Sequence, residues 1–198
     1  VAAQGARAMP PEARHRAVVP APADGRIRAI DCWEVARLAK RAGAPANPVV
    51  GCVSRFVPRK GQRRVLRAVA ALRAEGRDVS ALLVGTGRDE RSLRRLARRL
   101  AVPTRFEVGV PFSALPGLFR EMSVFAMPCR SRWLGLEAEG LGIVFLEAAA
   151  TAIPVVAGDS GGAPETVVAG ETGFVVDGQD TLVEALRLLL DDPGRAAA

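Results

Sequence analysis

Glu139-Gly140-Leu141-Gly142-Ile143-Val144-Phe145-Leu146-Glu147 sets seven residues between two carboxylates and leads through two glycines into an apolar run. The run extends to Ala150 and reads as a buried helix whose first N–H groups lack intrahelical acceptors. Those free donors and the positive end of the helix dipole suit a phosphate. Gly140 and Gly142 leave the backbone around them unobstructed. Glu139, ahead of the helix, is placed to accept hydrogen bonds from ligand hydroxyls, while Glu147 lies one to two turns inside and faces elsewhere. A phosphate seat beside two polyol-reading carboxylates suggests a nucleotide sugar. The plainer alternative is a capped core helix with two solvated glutamates.

Working outward, this helix (residues 141–151) lies between apolar strands at 124–127 and 154–157. The same alternation continues upstream, with strands at 49–54, 81–84 and 105–108 and helices at 62–74, 89–100 and 115–122. Pro116 is tolerated in the first turn of the last of these. Downstream come a helical turn at 164–168, a strand at 173–176 and a helix at 181–190. Strict alternation with apolar strands predicts an α/β fold, a Rossmann-like parallel sheet with helices on both faces. Ligands of such sheets bind at the carboxyl ends of the strands. The compact domain is expected at 48–192, after a tail at 1–17 and a linker with a short helix (33–42) at 18–47; residues 193–198 form a second tail.

At 198 residues and 49% apolar composition the chain can bury a core. No stretch has the length of a membrane span and no signal-peptide pattern opens the chain, so a cytoplasmic protein is expected. Cys32, Cys52 and Cys129 are odd in number and lack a histidine cluster, which points to reduced packing residues, not disulfides or zinc. The net charge of +7 comes from 28 basic residues, all but two of them arginine. Arg91, Arg94, Arg95, Arg98 and Arg99 share a helix whose Leu93, Leu96 and Leu100 face the core. This reads as a solvated face; nucleic acid or an acidic membrane surface is the alternative partner.

Arg55 and Lys60 fall in the loop after the first strand, at the ligand-binding edge. A guanidinium fork and a point charge there would neutralise a departing diphosphate without a metal. Gly158-Asp159-Ser160-Gly161-Gly162 spells a nucleophile elbow, yet the sole histidine of these 198 residues, His15, lies upstream in the tail, which argues against a serine hydrolase. Ser160 to Ala163 is read instead as a tight glycine turn that lets backbone approach a ligand. Gly85-Thr86-Gly87 lacks the third glycine of a dinucleotide fingerprint. No P-loop or metal cluster is present in the sequence.

Five segments together resemble the donor-binding, C-terminal domain of the retaining E-x7-E glycosyltransferases with two Rossmann-like domains, the GT-B fold. They are Ser54-Arg55-Phe-Val-Pro-Arg-Lys60-Gly-Gln62, Leu83-Val-Gly-Thr-Gly87, Phe125-Ala-Met-Pro128, Glu139 to Ala148, and Ser160-Gly-Gly-Ala-Pro-Glu165. The resemblance covers 18–192 and is closest to actinobacterial phosphatidylinositol mannosyltransferases. It implies a metal-independent hexosyltransferase that moves mannose from GDP-mannose, with retention, to a phosphatidylinositol-type lipid or glycan, at or near the inner membrane face. Arg55 and Lys60 would stabilise the leaving diphosphate and Glu139 would hold the sugar hydroxyls, as the catalytic set. Gly142, Ile143 and Val144 would offer N–H groups to sugar and phosphates, Glu147 would bind the ribose, and Gly85 and Val110 would line the base pocket. The resemblance further implies a missing N-terminal domain, of which 1–17 is a remnant, and no nucleic-acid partner. The alternative is a noncatalytic module that binds nucleotide or a protein partner.

Overall fold

The protein is described by a computed structural model that covers residues 47–131 and 136–191. The tail at 1–17, the linker helix expected at 33–42, His15, Cys32 and the tail at 193–198 lie outside the described residues. Six strands form one sheet: β1 (Val49–Val53), β2 (Ser80–Val84), β3 (Thr104–Glu107), β4 (Val124–Met127), β5 (Val155–Gly158) and β6 (Gly173–Val176). They lie in the order β3-β2-β1-β4-β5-β6, every pair parallel. The chain winds outward from β1 to β3, then returns to the middle and winds the other way. With the right-handed crossovers that parallel connections take, such winding covers both faces, and the direction reverses between β1 and β4.

The helices are α1 (Gln62–Ala74), α2 (Glu90–Arg99), α3 (Leu115–Arg120), α4 (Ile143–Ala149) and α5 (Gln179–Asp191). On one face α1 packs against both α2 and α5, burying Val65, Leu66, Ala68, Val69 and Leu72 at helical spacing. The central strand β4 is buried throughout. Its Phe125 meets Phe119 of α3 and Phe145 of α4 edge to face, at centroid separations of 5.8 and 5.7 Å. At seven residues α4 is too short to hold as a helix alone. Burial of Phe145, worth about 1.5–3 kcal/mol, is what fixes it to the sheet.

The expected order of elements is the observed order, and α1, β4 and β6 have the expected bounds. The expectation of a buried helix over 143–150 needs correction. Only Phe145 and Ala148 of α4 are buried, while Ile143 is 67% and Leu146 46% exposed. The helix also starts two residues later than expected, because Gly142 sits in the left-handed region at φ +71° and cannot continue a helical ladder. Residues 163–166 form a 3-10 turn, Ala163–Thr166, with Pro164 near its start. The arginine face of α2 is solvated at Arg91, Arg95, Arg98 and Arg99. Arg94 departs from that expectation: its guanidinium lies 4.3 Å from the Phe106 ring centre and it pairs with Glu90 at 2.9 Å.

Candidate functional site

The loops that leave β1, β4 and β5 meet at the carboxyl edge of the sheet, around the point where the winding reverses. The loop after β1 is pinned from below. Gln62, 2% exposed, donates through Nε2 to Ser54 Oγ and to the Arg55 carbonyl, both at 2.8 Å. A 3-10 turn, Pro58–Lys60, follows and ends at Gly61 in the left-handed region, φ +81°. A Cβ on Gly61 would stand 2.4 Å from the Pro128 carbonyl oxygen, so glycine there lets the turn lie against the exit of β4. The Arg130 amide closes the same contact by donating to the Arg59 carbonyl at 3.0 Å.

That turn aims two adjacent cations at one atom. Lys60 Nζ is 2.6 Å from Glu139 Oε2, and Arg59 Nη1 is 2.7 Å from the same oxygen. The three side chains are 11%, 14% and 8% exposed, respectively for Lys60, Arg59 and Glu139. Charges this deep need partners, because desolvation of an unpaired ion costs several kcal/mol. Arg59 also donates to the Ala138 carbonyl at 3.4 Å.

Glu139 is held from its other side by the turn after β5. Its amide donates to Ser160 Oγ at 3.1 Å, and Ser160 Oγ lies 3.1 Å from Ser131 Oγ. Gly161, at φ +57°, approaches so closely that a Cβ would stand 1.7 Å from the Glu139 carbonyl oxygen. The glycine turn at 160–163 was expected to admit a ligand; the close approach it serves is to the Glu139 backbone. Ser160, 2% exposed, is a peg for that loop.

At the head of α4 the amides of Ile143 and Val144 have no side-chain cap. Gly142 is required on two counts: its φ is +71°, and a Cβ would stand 2.7 Å from the Phe145 ring. Glu147, half-buried on α4, has no partner among the described residues. Arg55 is exposed and pairs with no carboxylate among the described residues, so it is at the expected edge but apart from the Lys60–Glu139 pair. Gly85 and Gly87 pack against the loop after β1; a Cβ on Gly85 would stand 2.1 Å from the Ser54 carbonyl oxygen. The chain's amides bridge there, Phe56 N to the Thr86 carbonyl at 2.7 Å. Val110, beyond β3, is half-buried against the core.

Arg59 was not singled out from the sequence. Its signal was the pair of turn markers around it, Pro58 at the start and Gly61 at the end. A tight turn there lets neighbouring long side chains reach one target. Cys52 and Cys129 are free and buried, and burial pushes their thiols up to about 12 and about 11. They pack beneath the site as apolar residues.

Residues 37–198 match the family described as glycosyl transferases group 1. The chain is 50% identical over 167 residues to a GDP-mannose-dependent alpha-(1-6)-phosphatidylinositol monomannoside mannosyltransferase of Mycolicibacterium smegmatis, covering 82% of this chain and 44% of that protein. It is 48% identical over 154 residues to the monoacylated-acceptor counterpart of Corynebacterium glutamicum, covering 77% of this chain and 40% of that protein. The chain thus spans under half the length of these relatives. Among solved structures, Anabaena HepE in complex with UDP and glucose aligns with TM-score 0.67 at 26% identity, over 82% of this chain and 44% of that one.

Proposed function

The chain belongs to the group 1 glycosyl transferases, and from that premise we propose that it is the donor-binding part of a retaining mannosyltransferase that uses GDP-mannose. The acceptor is a phosphatidylinositol-type lipid or a related glycan. The observation that carries this reading is the convergence of Lys60, Arg59 and Glu139 beside the uncapped amides of α4, at the reversal point of the sheet. The relatives named for GDP-mannose and phosphatidylinositol mannosides support the donor and acceptor classes.

In this reading the sugar C1–O bond to the β-phosphate breaks with its electron pair left on the diphosphate, and the acceptor hydroxyl oxygen forms the new bond on the same face as its proton passes to the departing phosphate oxygen. The cost is the charge that gathers on the departing oxygen. Lys60, buried, and Arg55, exposed at the same edge, meet that charge, and a preorganised cation is worth more where it is screened from bulk solvent. The amides of Gly142, Ile143 and Val144 add fixed dipoles toward sugar and phosphates. Glu139 receives sugar hydroxyls, and the unpartnered Glu147 receives the ribose. Gly85 and Val110 flank the base. Two cations and a helix mouth supply the neutralisation that a metal gives elsewhere, so transfer is metal-independent. Acceptor selection belongs to a domain that faces the donor site, and with a lipid acceptor of this class the enzyme works at the inner membrane face. Among the described residues no helix is long and apolar enough to cross a membrane.

Calorimetric titration with GDP-mannose, GDP, UDP-glucose and UDP, in the presence of a chelator, tests this reading. A GDP-mannose preference that collapses in Arg55→Ala is expected. Folded protein that binds none of the four overturns it, and a preference for UDP-glucose overturns the mannosyl donor.

A further inference from the structure

Lys60 and Arg59 share Glu139 Oε2, but they hold it differently. Lys60 has no partner besides Glu139 among the described residues, and its ammonium sits on a flexible four-carbon stem. Arg59 grips the carboxylate and the neighbouring Ala138 carbonyl with one nitrogen, and its own main chain is tied to Arg130. If Lys60 turns to a diphosphate, as the donor reading above requires, it must leave Glu139. A carboxylate abandoned by both cations at 8% exposure would bear an uncompensated charge. Arg59 prevents this, because it can keep its hold while Lys60 moves. Oε1 of Glu139 has no hydrogen bond among the described residues, which makes it the oxygen left to receive hydroxyls.

We propose that Arg59 is a positioning residue that holds the Glu139 carboxylate for the donor sugar while Lys60 exchanges from that carboxylate to the donor diphosphate. Glu139 and the donor diphosphate thus compete for Lys60. Arg59 acts on the sugar through Glu139 and not on the phosphates directly.

The test rests on nucleotide binding by the unmodified protein, which also tests the donor reading itself. GDP and GDP-mannose are titrated into the unmodified protein, Arg59→Met, Arg59→Lys, Glu139→Gln and the double variant Arg59→Met/Glu139→Gln. In Arg59→Met the preference for GDP-mannose over GDP falls about tenfold while GDP affinity changes less than about threefold. Arg59→Lys restores part of the preference, since a cation remains within reach of Oε2. Glu139→Gln releases Lys60 and raises GDP affinity several-fold, roughly threefold to tenfold. The double variant loses no more sugar preference than Glu139→Gln alone, because the two residues act as one unit. Equal loss of GDP and GDP-mannose in Arg59→Met overturns the inference by making Arg59 a phosphate ligand. Additive losses in the double variant overturn it too, by separating Arg59 from Glu139. Either result leaves the donor reading intact, whereas an unmodified protein that binds neither nucleotide overturns both.

Discussion

Two clusters of ion pairs in this molecule use the same residue types and have opposite physical meaning. At the carboxyl edge, Arg59 and Lys60 converge on one oxygen of Glu139 with all three side chains below 15% exposure. On the outer helices, Glu75 pairs with Arg187 and Arg77, and Arg77 pairs with Asp191, with side chains roughly a third to a half exposed. The first cluster bears a desolvation cost that only a close partner offsets, and it leaves a cation with a replaceable anion. The second stays in water, where screening and side-chain entropy consume most of the attraction. Burial, not the number of bridges, marks the site.

The largest expected effect comes from removing a cation of the buried cluster. Lys60→Ala should lower kcat/KM for transfer by about 10²–10³-fold, the usual result of deleting one stabiliser of developing charge. The measurement is steady-state transfer by a full-length relative-sized enzyme carrying the substitution. A loss under about fivefold would mean that the buried pair is structural and that Arg55 carries the leaving group alone.

The next effect tests the scaffold of the site without touching a charge. Gly161→Ala places a methyl group 1.7 Å from the Glu139 carbonyl oxygen and forces alanine to hold φ +57°. Overpacking and the left-handed backbone together should cost about 2–4 kcal/mol locally. The β5 turn would yield before the all-buried strands β4 and β5, so donor affinity should fall more steeply than the denaturation midpoint. Parallel calorimetry and urea unfolding read the two quantities. Equal proportional losses would show that the turn is part of the core and not specific to Glu139.

The same contrast explains what could be read from the sequence. Apolar strands alternating with helices of 3.6 periodicity fixed the sheet class, since a short apolar run such as the one at 81–84 has nowhere to go but the interior. Lys60 and Glu139 were legible as residues of one edge, because the fold sends every β-to-α loop there. Their direct pairing was not legible, as it depends on the left-handed Gly61 that turns the loop onto Pro128. Arg59 was missed for the same reason: that it shares a target with its neighbour Lys60 depends on the 3-10 turn. The turn at Gly161 was legible as a close approach, and the approach the structure shows is to the Glu139 backbone, since glycine records that something is near and not what. The half-exposed α4 was overread as buried because Ile143 and Leu146 count as core by composition, while geometry spends the inward face on Phe145 and Ala148. The roles of Gly85 and Val110 around a base stay in the proposal; the contact shown for Gly85 is to the Ser54 backbone.

The smallest effect belongs to the exposed ladder, and its sign is set by its carboxylates. Hydrogen bonds from Arg187 hold Glu75 below its usual 4.5, and those from Arg77 hold Asp191 below its usual 3.8. A carboxylate with a lowered folded-state value contributes stability above its unfolded value, and that contribution is lost as pH falls through the lowered one. The ladder therefore helps at neutral pH and fades only in acid, below the ordinary carboxylate range. Both carboxylates are exposed, so the contribution is small and salt should erase it. Replacing Glu75 and Asp191 together by their amides should leave nucleotide binding unchanged and lower the thermal midpoint slightly at pH 7 in low salt. As pH falls through the lowered values of the two carboxylates, and in about 1 M salt, the midpoints of variant and parent should converge. A midpoint difference that persists in high salt would mean that the outer pairs act through packing of the arginine stems between α1 and α5, and the contrast between buried and exposed charge would then be weaker than burial alone implies.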